Sequence, residues 1–546
     1  MSRVRTRIGW LRALLTVSIK TITTKVRVMD YIAYRPQGFT GQGDSHLPKI
    51  VEGLRRVLTE TQSGFAYKVL RMPPMQLDEL AGILVDFAED IHADNGIWAA
   101  YECCNREFFG TSLPLAAEPS SELDPGFCPE RFRHFLWILY PTYFEELTIS
   151  PTHPDLHRMA EAACSFLSGA FGDVPRNSGV KLFLKSSNEF GWEVKQKLVW
   201  LGSQSFLFRK MLPRYVHEHR DSQGSIINYV DDFLCQHCTR WSGLGAIDIL
   251  AGVLDISEDN RSDLRNWYER HAAYYQVQSV DQQTLVAQNV INDQAYQIRL
   301  GVGSNPFRRG QMVFGSLVPW RGEWYWSGEQ QTWDDDGKLD ADDLKRDMKR
   351  LHSKVVCRYS KEYEAQVRER AAVIHERTLA FHGGQDLVIY PDGRAMASDW
   401  QKEIQEQWET QLQEVRHDVS QKHKLPNRPP QVNLPQDLLQ QRNGLGVFVN
   451  PDEGKEIMTH FTILISGLKK RGKRLTAEEE SVIRGIVESS SISPRFVTRV
   501  LDEYGSDSVK AAFELKGDLP SYWLDYLLRT RKGHYYRKRY PSLSIA

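Results

Sequence analysis

The chain has 546 residues, enough for several domains, and its 41% hydrophobic and 25% charged content excludes a disordered or fibrous protein. Its formal net charge of −1 excludes a global field that would draw in nucleic acid or acidic lipid, so a charged partner must meet a local patch. Seven cysteines without framework spacing favour reduced thiols in a cytoplasmic protein, and no stretch of the sequence approaches the roughly 20 apolar residues that span a bilayer.

Residues 1–28 form a basic leader. They carry seven basic residues and no acid, and their apolar part is short and interrupted by Arg12. That interruption makes a poor signal-peptide core. A transit-peptide-like or membrane-surface helix is one interpretation. The favoured interpretation is that translation starts at Met29.

Residues 29–272 predict one α-helical domain, or two. Segments such as HLPKIVEGLRRVL (46–58) and LDELAGILVDFAEDIH (77–92) repeat apolar residues every three or four positions. This is the period of an amphipathic helix. Gly or Pro follows several of these segments and indicates where the helices end.

Residues 273–331 predict a small β-barrel. From Tyr274 the sequence alternates apolar and polar residues at period two, and VINDQA (290–295) separates two such runs as a hairpin signal. Four or five short strands fit into this stretch. An open sheet that small would leave its edges unpaired, so we expect a closed, SH3-like or OB-like barrel.

The segment VPWRGEWYWSGEQ (318–330) concentrates tryptophans near the end of the barrel sequence. Side chains alternate between the faces of a strand, so Trp324 and Trp326 share one face, which we expect to fill the barrel. Trp320 and Tyr325 are the better candidates for an exposed platform. Residues 319–322 have the composition of a three-residue hairpin loop built on a type I turn.

The remaining chain predicts three further regions. Residues 332–424 read as long charged helices with a short strand–turn, and residues 425–443 as a proline-rich linker. Residues 444–546 read as a C-terminal α-helical domain with a basic–aromatic tail. The predicted fold class is therefore α+β and predominantly α-helical, with helical N- and C-terminal domains around the small barrel.

Five segments form a distinctive set: FAEDIHADNGIW (87–98), FFGTSLPL (108–115), FLWILYPTYF (135–144), GSLVPWRGEWYWSGEQ (315–330) and YLLRTRKGHYYRKRYP (526–541). In these segments the chain resembles a family of uncharacterised, mainly bacterial proteins defined as a domain of unknown function. The resemblance extends over nearly all of the chain from Met29 and supports Met29 as the start. The family has no established activity, cofactor or catalytic residues, so the resemblance implies none here.

One motif has the composition of a zinc site. Cys235 and Cys238 form a C-x-x-C pair, and His217 and His219 could supply the other two of the four ligands that structural zinc needs. The alternative is that two cysteines on an amphipathic helix pack inward as buried thiols. The interpretation as buried thiols is favoured over the zinc site.

Two more motifs resemble metal sites in part. TWDDDGKLDADDL (332–344) departs from a calcium loop at Thr332, where the first Asp belongs, and at Asp343, where the bidentate Glu belongs. The simpler interpretation is an acidic turn before a helix. Glu89 and His92 form a single Glu-x-x-His pair, whereas a di-iron bundle needs two. The sequence therefore predicts no metal ion and no cofactor.

The strongest local feature is the tail, which contains no acid after Asp525. Arginine and lysine neutralise phosphates and tyrosine rings stack on bases, so the tail suits nucleic acid. A second basic cluster, residues 469–474, precedes a predicted capping box of Thr476 and Glu479 and helices that could be a helix-turn-helix variant. Alternatively, the tail packs on acidic helices of its own chain. The candidate nucleic-acid-binding residues are Arg529, Arg531, Lys532, Tyr535, Tyr536, Arg537, Lys538 and Arg539.

The leading hypothesis is a non-enzymatic binding or scaffold protein. Its basic–aromatic C-terminus would contact an anionic partner, either RNA or DNA or an acidic protein. The rival is an enzyme with a metal-dependent or dispersed catalytic site in the α-helical N-terminal domain. No G-x-S-x-G, Walker A or dinucleotide-binding motif supports the rival. Oligomeric state is not predicted.

Overall fold

The computed structural model divides the chain into two compact units. The first comprises Met1–Ser360 with Leu519–Tyr526, and the second comprises Lys361–Asp518 with Leu527–Ala546. The predicted leader and Met29 lie outside the described residues. The structure describes residues 34–116, 126–144, 148–219, 225–237, 239–269, 271–290, 293–301, 307–333, 342–344, 346, 361–415, 428–452, 454–536 and 544–545.

Helices build the first part of unit 1. The α-helices are α1 (Leu47–Ser63), α2 (Pro74–Ala93), α3 (Ile97–Phe109), α4 (Pro129–Leu139), α5 (Pro154–Ala170), α6 (Gly179–Leu184), α7 (Gly191–Gln204), α8 (Met211–His219), α9 (Ile226–Gln236), α10 (Ala246–Val253) and α11 (Glu258–Arg265). Short 3-10 turns occur at Gln42–Ser45, Lys68–Leu70, Tyr140–Thr142 and Asn266–Glu269. In the described ranges, no helix combines the length and apolar content that crossing a bilayer requires.

The helices form where the apolar period predicts them. In α1, Leu47, Ile50, Val51, Leu54 and Leu58 are buried and face one core. Helix α2 begins with proline at its first turn, where the missing N–H costs nothing. The apolar positions that recur in the sequence are therefore the positions that the helices bury in the core.

The predicted barrel is present and closed. Its strands are β1 (His271–Val280), β2 (Thr284–Asn289), β3 (Ala295–Arg299), β4 (Met312–Trp320) and β5 (Glu323–Trp333). Their order is β1-β2-β3-β5-β4, with β1 pairing antiparallel to β4 and β3 pairing parallel to β5. This order is that of the OB-like alternative. The predicted fold class, α+β and mainly helical with a small barrel, is confirmed.

The hairpin between β4 and β5 differs from its prediction. Trp320 pairs with Glu323, so the loop has two residues, Arg321 and Gly322, with φ of 51° and 79°. Two positive φ values belong to a type I′ turn, whose twist matches that of the flanking strands. The predicted three-residue loop on a type I turn is wrong because β4 continues through Pro319.

Trp324 and Trp326 lie on the barrel side of β5, as predicted, but the residues expected to form an exposed platform are buried. Trp324 and Trp326 contact the barrel tyrosines Tyr296 and Tyr275 at ring distances of 4.8 and 5.6 Å. Trp320 and Tyr325, on the other face, are 0% and 4% exposed and belong to the helical core. The exposed platform is therefore a wrong prediction, since helices of unit 1 cover the outer face of this hairpin.

Unit 2 combines helices with a four-stranded sheet. Its strands are β6 (Leu387–Tyr390), β7 (Leu445–Asn450), β8 (Gly454–Thr459) and β9 (Ser544–Ile545), in the order β6-β7-β8-β9. The helices are α12 (Lys361–Phe381), α13 (Gly393–Val415), α14 (Gln436–Leu439), α15 (Phe461–Lys469), α16 (Ala477–Glu488), α17 (Pro494–Tyr504) and α18 (Asp507–Ala512). Helix α19 (Trp523–Lys532) belongs to unit 1 up to Tyr526 and to unit 2 from Leu527, and unit 2 also contains the 3-10 turn Gly533–Tyr536 that follows it.

The prediction for residues 444–546 omitted the β7–β8 hairpin. All six residues of β7 are buried, so the strand has no polar alternation that would distinguish it from a helix segment. The predicted linker also has a packed part, because the side chain of Gln401 bonds the carbonyl of Pro430 at 3.1 Å and the backbone N–H of Val432 at 2.9 Å.

Candidate functional site

The turn between α15 and α16 presents a group of cations, which we call the basic turn (residues 469–474). Arg471, Gly472 and Arg474 have φ of 50°, 75° and 52°, in the left-handed region. Two of the three are arginines, for which this conformation is unusual and costly. The turn is anchored by a hydrogen bond of 2.8 Å from the N–H of Gly472 to the hydroxyl of Ser508.

The cations of the basic turn are mostly exposed. Arg471, Lys473 and Arg474 are exposed and, within the described part of the chain, form no ion pair. Lys470 instead pairs with Glu479 at 2.6 Å. Positive charge is therefore displayed on a short, well-anchored piece of backbone.

Two of the three acids in the first turn of α16, which follows the basic turn, are committed elsewhere. Thr476 and Glu479 form the predicted capping box, which is confirmed. The hydrogen bond from Lys470 lowers the pKa of Glu479 to about 2. Glu480 pairs with Arg484 on α16. Glu478 is the remaining, exposed carboxylate of that helical turn, so the three exposed cations of the basic turn still leave a net positive charge.

A cleft of about 430 Å³ lies between the end of β8 and helix α16. Met458, Thr459 and His460 line it from the strand side, and His460 has a left-handed φ of 58°. A Cβ atom at Gly485, on the helix side, would meet no atom within 4 Å. The other lining residues are Glu478, Ser481, Val482 and Ser489. With one carboxylate and one imidazole, this lining offers little for acid–base chemistry and suits a binding site.

The described part of the tail packs against the C-terminal end of α16. Tyr535 donates its hydroxyl to the carbonyl of Ser490 at 3.0 Å, and Nε2 of His534 lies 2.9 Å from the same oxygen. Arg531 pairs with Glu488 at 3.4 Å. The cation at this end offsets the helix dipole, and the donors satisfy a carbonyl just beyond the last turn of the helix.

The predicted nucleic-acid-binding residues occupy different environments. Lys532 is buried, 0% exposed, and donates to the carbonyl of Ser489. The guanidinium of Arg529 lies 4.2 Å above the ring of Tyr536, and both side chains are half-buried. Arg537, Lys538 and Arg539 lie outside the described residues. Burial leaves Lys532 inaccessible to a phosphate, and the assignment of the other seven residues to nucleic acid stays a prediction.

Lys532 belongs to a buried polar cluster. Glu456 accepts hydrogen bonds of 2.6 Å from both the N–H and the hydroxyl of Ser493, and one of 3.0 Å from Asn450. Burial raises the pKa of Glu456, and burial lowers the pKa of Lys532 to about 7 while Glu456 and Glu488 oppose that shift. The cluster joins β7, β8, α17 and α19 within unit 2.

In unit 1, buried carboxylates have structural partners. Glu89 accepts from Arg35 at 2.5 Å, and Asp90 accepts from the N–H groups of Ile97 and Trp98 at the start of α3. Burial raises the pKa of Asp90 to about 7. His92, the partner of Glu89 in the predicted pair, bonds a backbone carbonyl instead.

Another buried group in unit 1 is an imidazole. Nε2 of His134 lies 2.6 Å from the hydroxyl of Tyr101 and 3.4 Å from that of Tyr526. Burial lowers the pKa of His134 to about 3, so the ring is neutral at ordinary pH. All three side chains are 0% exposed. Because no solvent or substrate reaches them, their hydrogen bonds form a structural network.

The C-x-x-C motif is only half described. Cys235 is buried, 0% exposed, and the ammonium of Lys195 lies 3.7 Å from its sulfur. Cys238 lies outside the described residues. His219 stacks on Tyr215 at 4.0 Å. Of the predicted calcium loop, residues 334–341 lie outside the described ranges, and within those ranges no group of three or more His, Cys, Asp or Glu could hold a metal ion.

Sequence reasoning found the basic turn but missed the cleft. The one available signal was Gly485, since an isolated glycine inside a helical pattern lowers helix stability and often has a packing or functional reason. The strand side of the cleft depends on β8, which the prediction omitted.

Comparison with known proteins gives one family match. Residues 76–239 match the model of a family described as a protein of unknown function (DUF3843). The match lies within unit 1 and contains the first three of the five segments on which the resemblance rests, so likeness over the rest of the chain stays a prediction. No curated protein and no solved structure matches the chain.

Proposed function

We propose that the chain is a non-enzymatic binding protein whose unit 2 contacts nucleic acid through the basic turn. The observation that carries this proposal is the set of exposed cations, Arg471, Lys473 and Arg474, that form no ion pair within the described ranges. Cations of this kind neutralise phosphates, and they do so without reading sequence.

Other arginines of unit 2 support the choice of this surface. Arg495 pairs with Asp452 at 3.0 Å, and Arg499 pairs with Asp386 and Glu503 at 2.9 and 2.7 Å. Both lie on α17, where a helix-turn-helix protein would place its base-reading residues. The free positive charge lies on the turn before α16 instead, which favours backbone contact over base recognition.

The tail takes part in the same proposal. Arg537, Lys538 and Arg539 add phosphate contacts, and the stacked pair of Arg529 and Tyr536 offers a cation beside a ring on which a base can stack. The enzyme alternative has less support, because the buried carboxylates of unit 1 have structural partners.

The test measures binding of a labelled single-stranded RNA and a labelled DNA duplex by fluorescence anisotropy across a salt series. A variant carries Arg471→Gln, Lys473→Gln and Arg474→Gln. The matched control carries Lys402→Gln, Arg428→Gln and Arg442→Gln, which removes three exposed cations elsewhere in unit 2.

The unaltered protein should bind with an affinity that falls steeply with salt. Each lost phosphate contact reduces the slope of log K against log salt by about 0.9 for duplex DNA, so the basic-turn variant should lose about 2 to 3 units and the control almost none. No binding at low salt overturns the function. Equal salt slopes for the variant and the control overturn the basic turn as the binding site. Binding to an acidic protein but to neither nucleic acid shows that the anionic partner is a protein.

A further inference from the structure

The cleft and the basic turn are neighbours along the chain of unit 2. The helix side of the cleft is one stripe of α16 and its C-terminal cap, made by Glu478, Ser481, Val482, Gly485 and Ser489. Glu478, the first residue of this stripe, follows Arg474 of the basic turn by four positions. Their Cα atoms therefore lie within about 14 Å of each other. A short nucleic-acid strand that contacts the basic turn can reach the near end of the cleft.

The carboxylate at this end of the cleft is uncommitted. Glu478 is exposed and, within the described ranges, forms no ion pair, whereas its neighbours Glu479 and Glu480 pair with Lys470 and Arg484. An ionised carboxylate has two acceptor oxygens and no donor. The group that matches it best is one with two adjacent N–H donors.

The rest of the lining suits a flat ring with polar edges. Ser481 lies one helical turn beyond Glu478, is exposed, and has a hydroxyl that both donates and accepts. Met458 and Val482 supply apolar surface, and His460 contributes an imidazole, one of the rings on which unpaired bases stack. The cleft volume of about 430 Å³ lies in the range of sites that bind small ligands.

Among the nucleobases, guanine presents the donors that this lining requires. Its N1–H and its N2 amino group lie side by side on the Watson–Crick edge, and its O6 acceptor follows them. Uracil offers a single N–H between two carbonyl oxygens, and a carboxylate repels both oxygens. In a duplex this edge is already paired, so only an unpaired guanine can offer it to the cleft.

We propose that the cleft is a guanine-binding pocket, which receives an unpaired base of the strand whose phosphates contact the basic turn. Glu478 accepts from N1–H and the N2 amino group, and the hydroxyl of Ser481 donates to O6. The pocket rests on the proposed function, because the bound strand brings the base to the cleft. The basic turn reads no sequence, so the base preference of the protein comes from the cleft.

The test measures binding of three labelled uridine oligomers of equal length by fluorescence anisotropy. The central position is guanosine, inosine or uridine. Inosine differs from guanosine only by the loss of the N2 amino group. The ratio of the guanosine and inosine affinities therefore isolates that hydrogen bond, because the phosphate contacts are common to both oligomers.

Two variants alter the cleft, and each has a matched control. Glu478→Gln is compared with Glu406→Gln, which changes an exposed glutamate of α13. Gly485→Leu is compared with Gly169→Leu, at an exposed helical glycine of α5. A Cβ at either glycine meets no atom within 4 Å, and leucine favours a helix, so both folds should be retained. The leucine at 485 leans towards the preceding turn and fills the cleft.

The unaltered protein should bind the guanosine oligomer about tenfold more tightly than the inosine or the all-uridine oligomer. Glu478→Gln and Gly485→Leu should abolish the preference for guanosine over inosine, and both controls should keep it. Glu478→Gln should also bind the all-uridine oligomer at least as tightly as the guanosine oligomer, because an amide matches the donor and acceptor on the edge of uracil.

The outcomes separate the pocket from the proposed function. Equal affinities of the unaltered protein for the guanosine and inosine oligomers, with a steep salt dependence, overturn the pocket and leave nucleic-acid binding at the basic turn in place. A guanosine preference that survives Gly485→Leu overturns the cleft as its location. No binding of any oligomer at low salt overturns the proposed function and the pocket together.

Discussion

The ring of Tyr325 lies against the backbone of Gly191, so close that a Cβ atom at Gly191 would fall 2.6 Å from Cγ of the tyrosine. Gly191 begins α7, and Tyr325 lies on the outer face of β5. The indole of Trp320 donates to the carbonyl of Asn188 at 3.1 Å a few residues earlier in the chain. The barrel and the helices of unit 1 therefore share one tightly packed interface.

Gly191→Ala should destabilise unit 1 by about 1–3 kcal/mol, the usual cost of overpacking, because the tyrosine ring must move. The measurement is the unfolding free energy from denaturant titration. Gly169→Ala is the control: its Cβ meets no atom within 4 Å, and alanine in a helix stabilises by up to about 1 kcal/mol. Equal stability of the two variants would show that the interface yields to an added methyl group.

This interface also shows where sequence reasoning ends. The helices of unit 1 and the strands of the barrel were predictable, because an element that buries one face repeats its apolar residues every 3.6 positions in a helix or every 2 in a strand. The burial of Trp320 and Tyr325 was not, since their covering residues, Asn188 and Gly191, lie over 100 positions away and leave no local period. The cleft depends in the same way on β8 meeting α16.

The tail illustrates a second limit. Its basic and aromatic composition is consistent with a nucleic-acid contact and equally with capping the end of a helix. Lys532 is buried at the end of α16, and nothing in its neighbours along the chain distinguishes it from Arg529, which is half-buried. Which cation is accessible depends on tertiary packing.

A buried ion pair connects α7, α9 and β5. The ammonium of Lys195 bonds the carboxylate of Asp231 and the hydroxyl of Ser327, and the hydroxyl lies 2.8 Å from the same carboxylate. Lys195→Met should cost about 3–5 kcal/mol, because it leaves a buried charge without its partner. The double variant with Asp231→Leu should lose less than the sum of the two single losses.

The check is a double-mutant cycle of unfolding free energies. Arg214→Met on α8 provides the control, since its pair with Glu218 is about half-exposed and should be worth less than about 1 kcal/mol. Strict additivity of the Lys195 and Asp231 losses would contradict the coupling.

Acid should weaken the network around His134. The imidazole has a pKa of about 3 in the fold and 6.5 when unfolded, so between these values the unfolded state binds more protons. Its contribution is present above pH 6.5 and is lost, by about 1.4 kcal/mol per pH unit, as the pH falls towards 3. Asp90, with its pKa raised to about 7, acts in the opposite direction between 3.8 and 7.

The difference between the unaltered protein and His134→Gln isolates the imidazole, because Asp90 is common to both. Glutamine keeps an acceptor for the hydroxyl of Tyr101 and does not titrate. The stability advantage of histidine, measured by denaturant titration at several pH values, should shrink as the pH falls below 6.5. Parallel curves would show that the buried imidazole does not control acid stability.

Lys532 should influence stability without influencing nucleic-acid binding. Its pKa is about 7 in the fold and 10.5 when unfolded, so the unfolded state binds more protons between these values and stability rises with pH across that window. Relative to Lys532→Met, the unfolding free energy of the unaltered protein should rise by about 1.4 kcal/mol per pH unit from pH 7 upward.

Because the ammonium is 0% exposed and donates to the carbonyl of Ser489, it cannot reach a phosphate. The salt slope for nucleic acid should therefore be the same for Lys532→Met and the unaltered protein at pH 7, whereas the basic-turn variant reduces it. A flattened slope in Lys532→Met, with the fold intact by calorimetry, would show that Lys532 itself makes a phosphate contact.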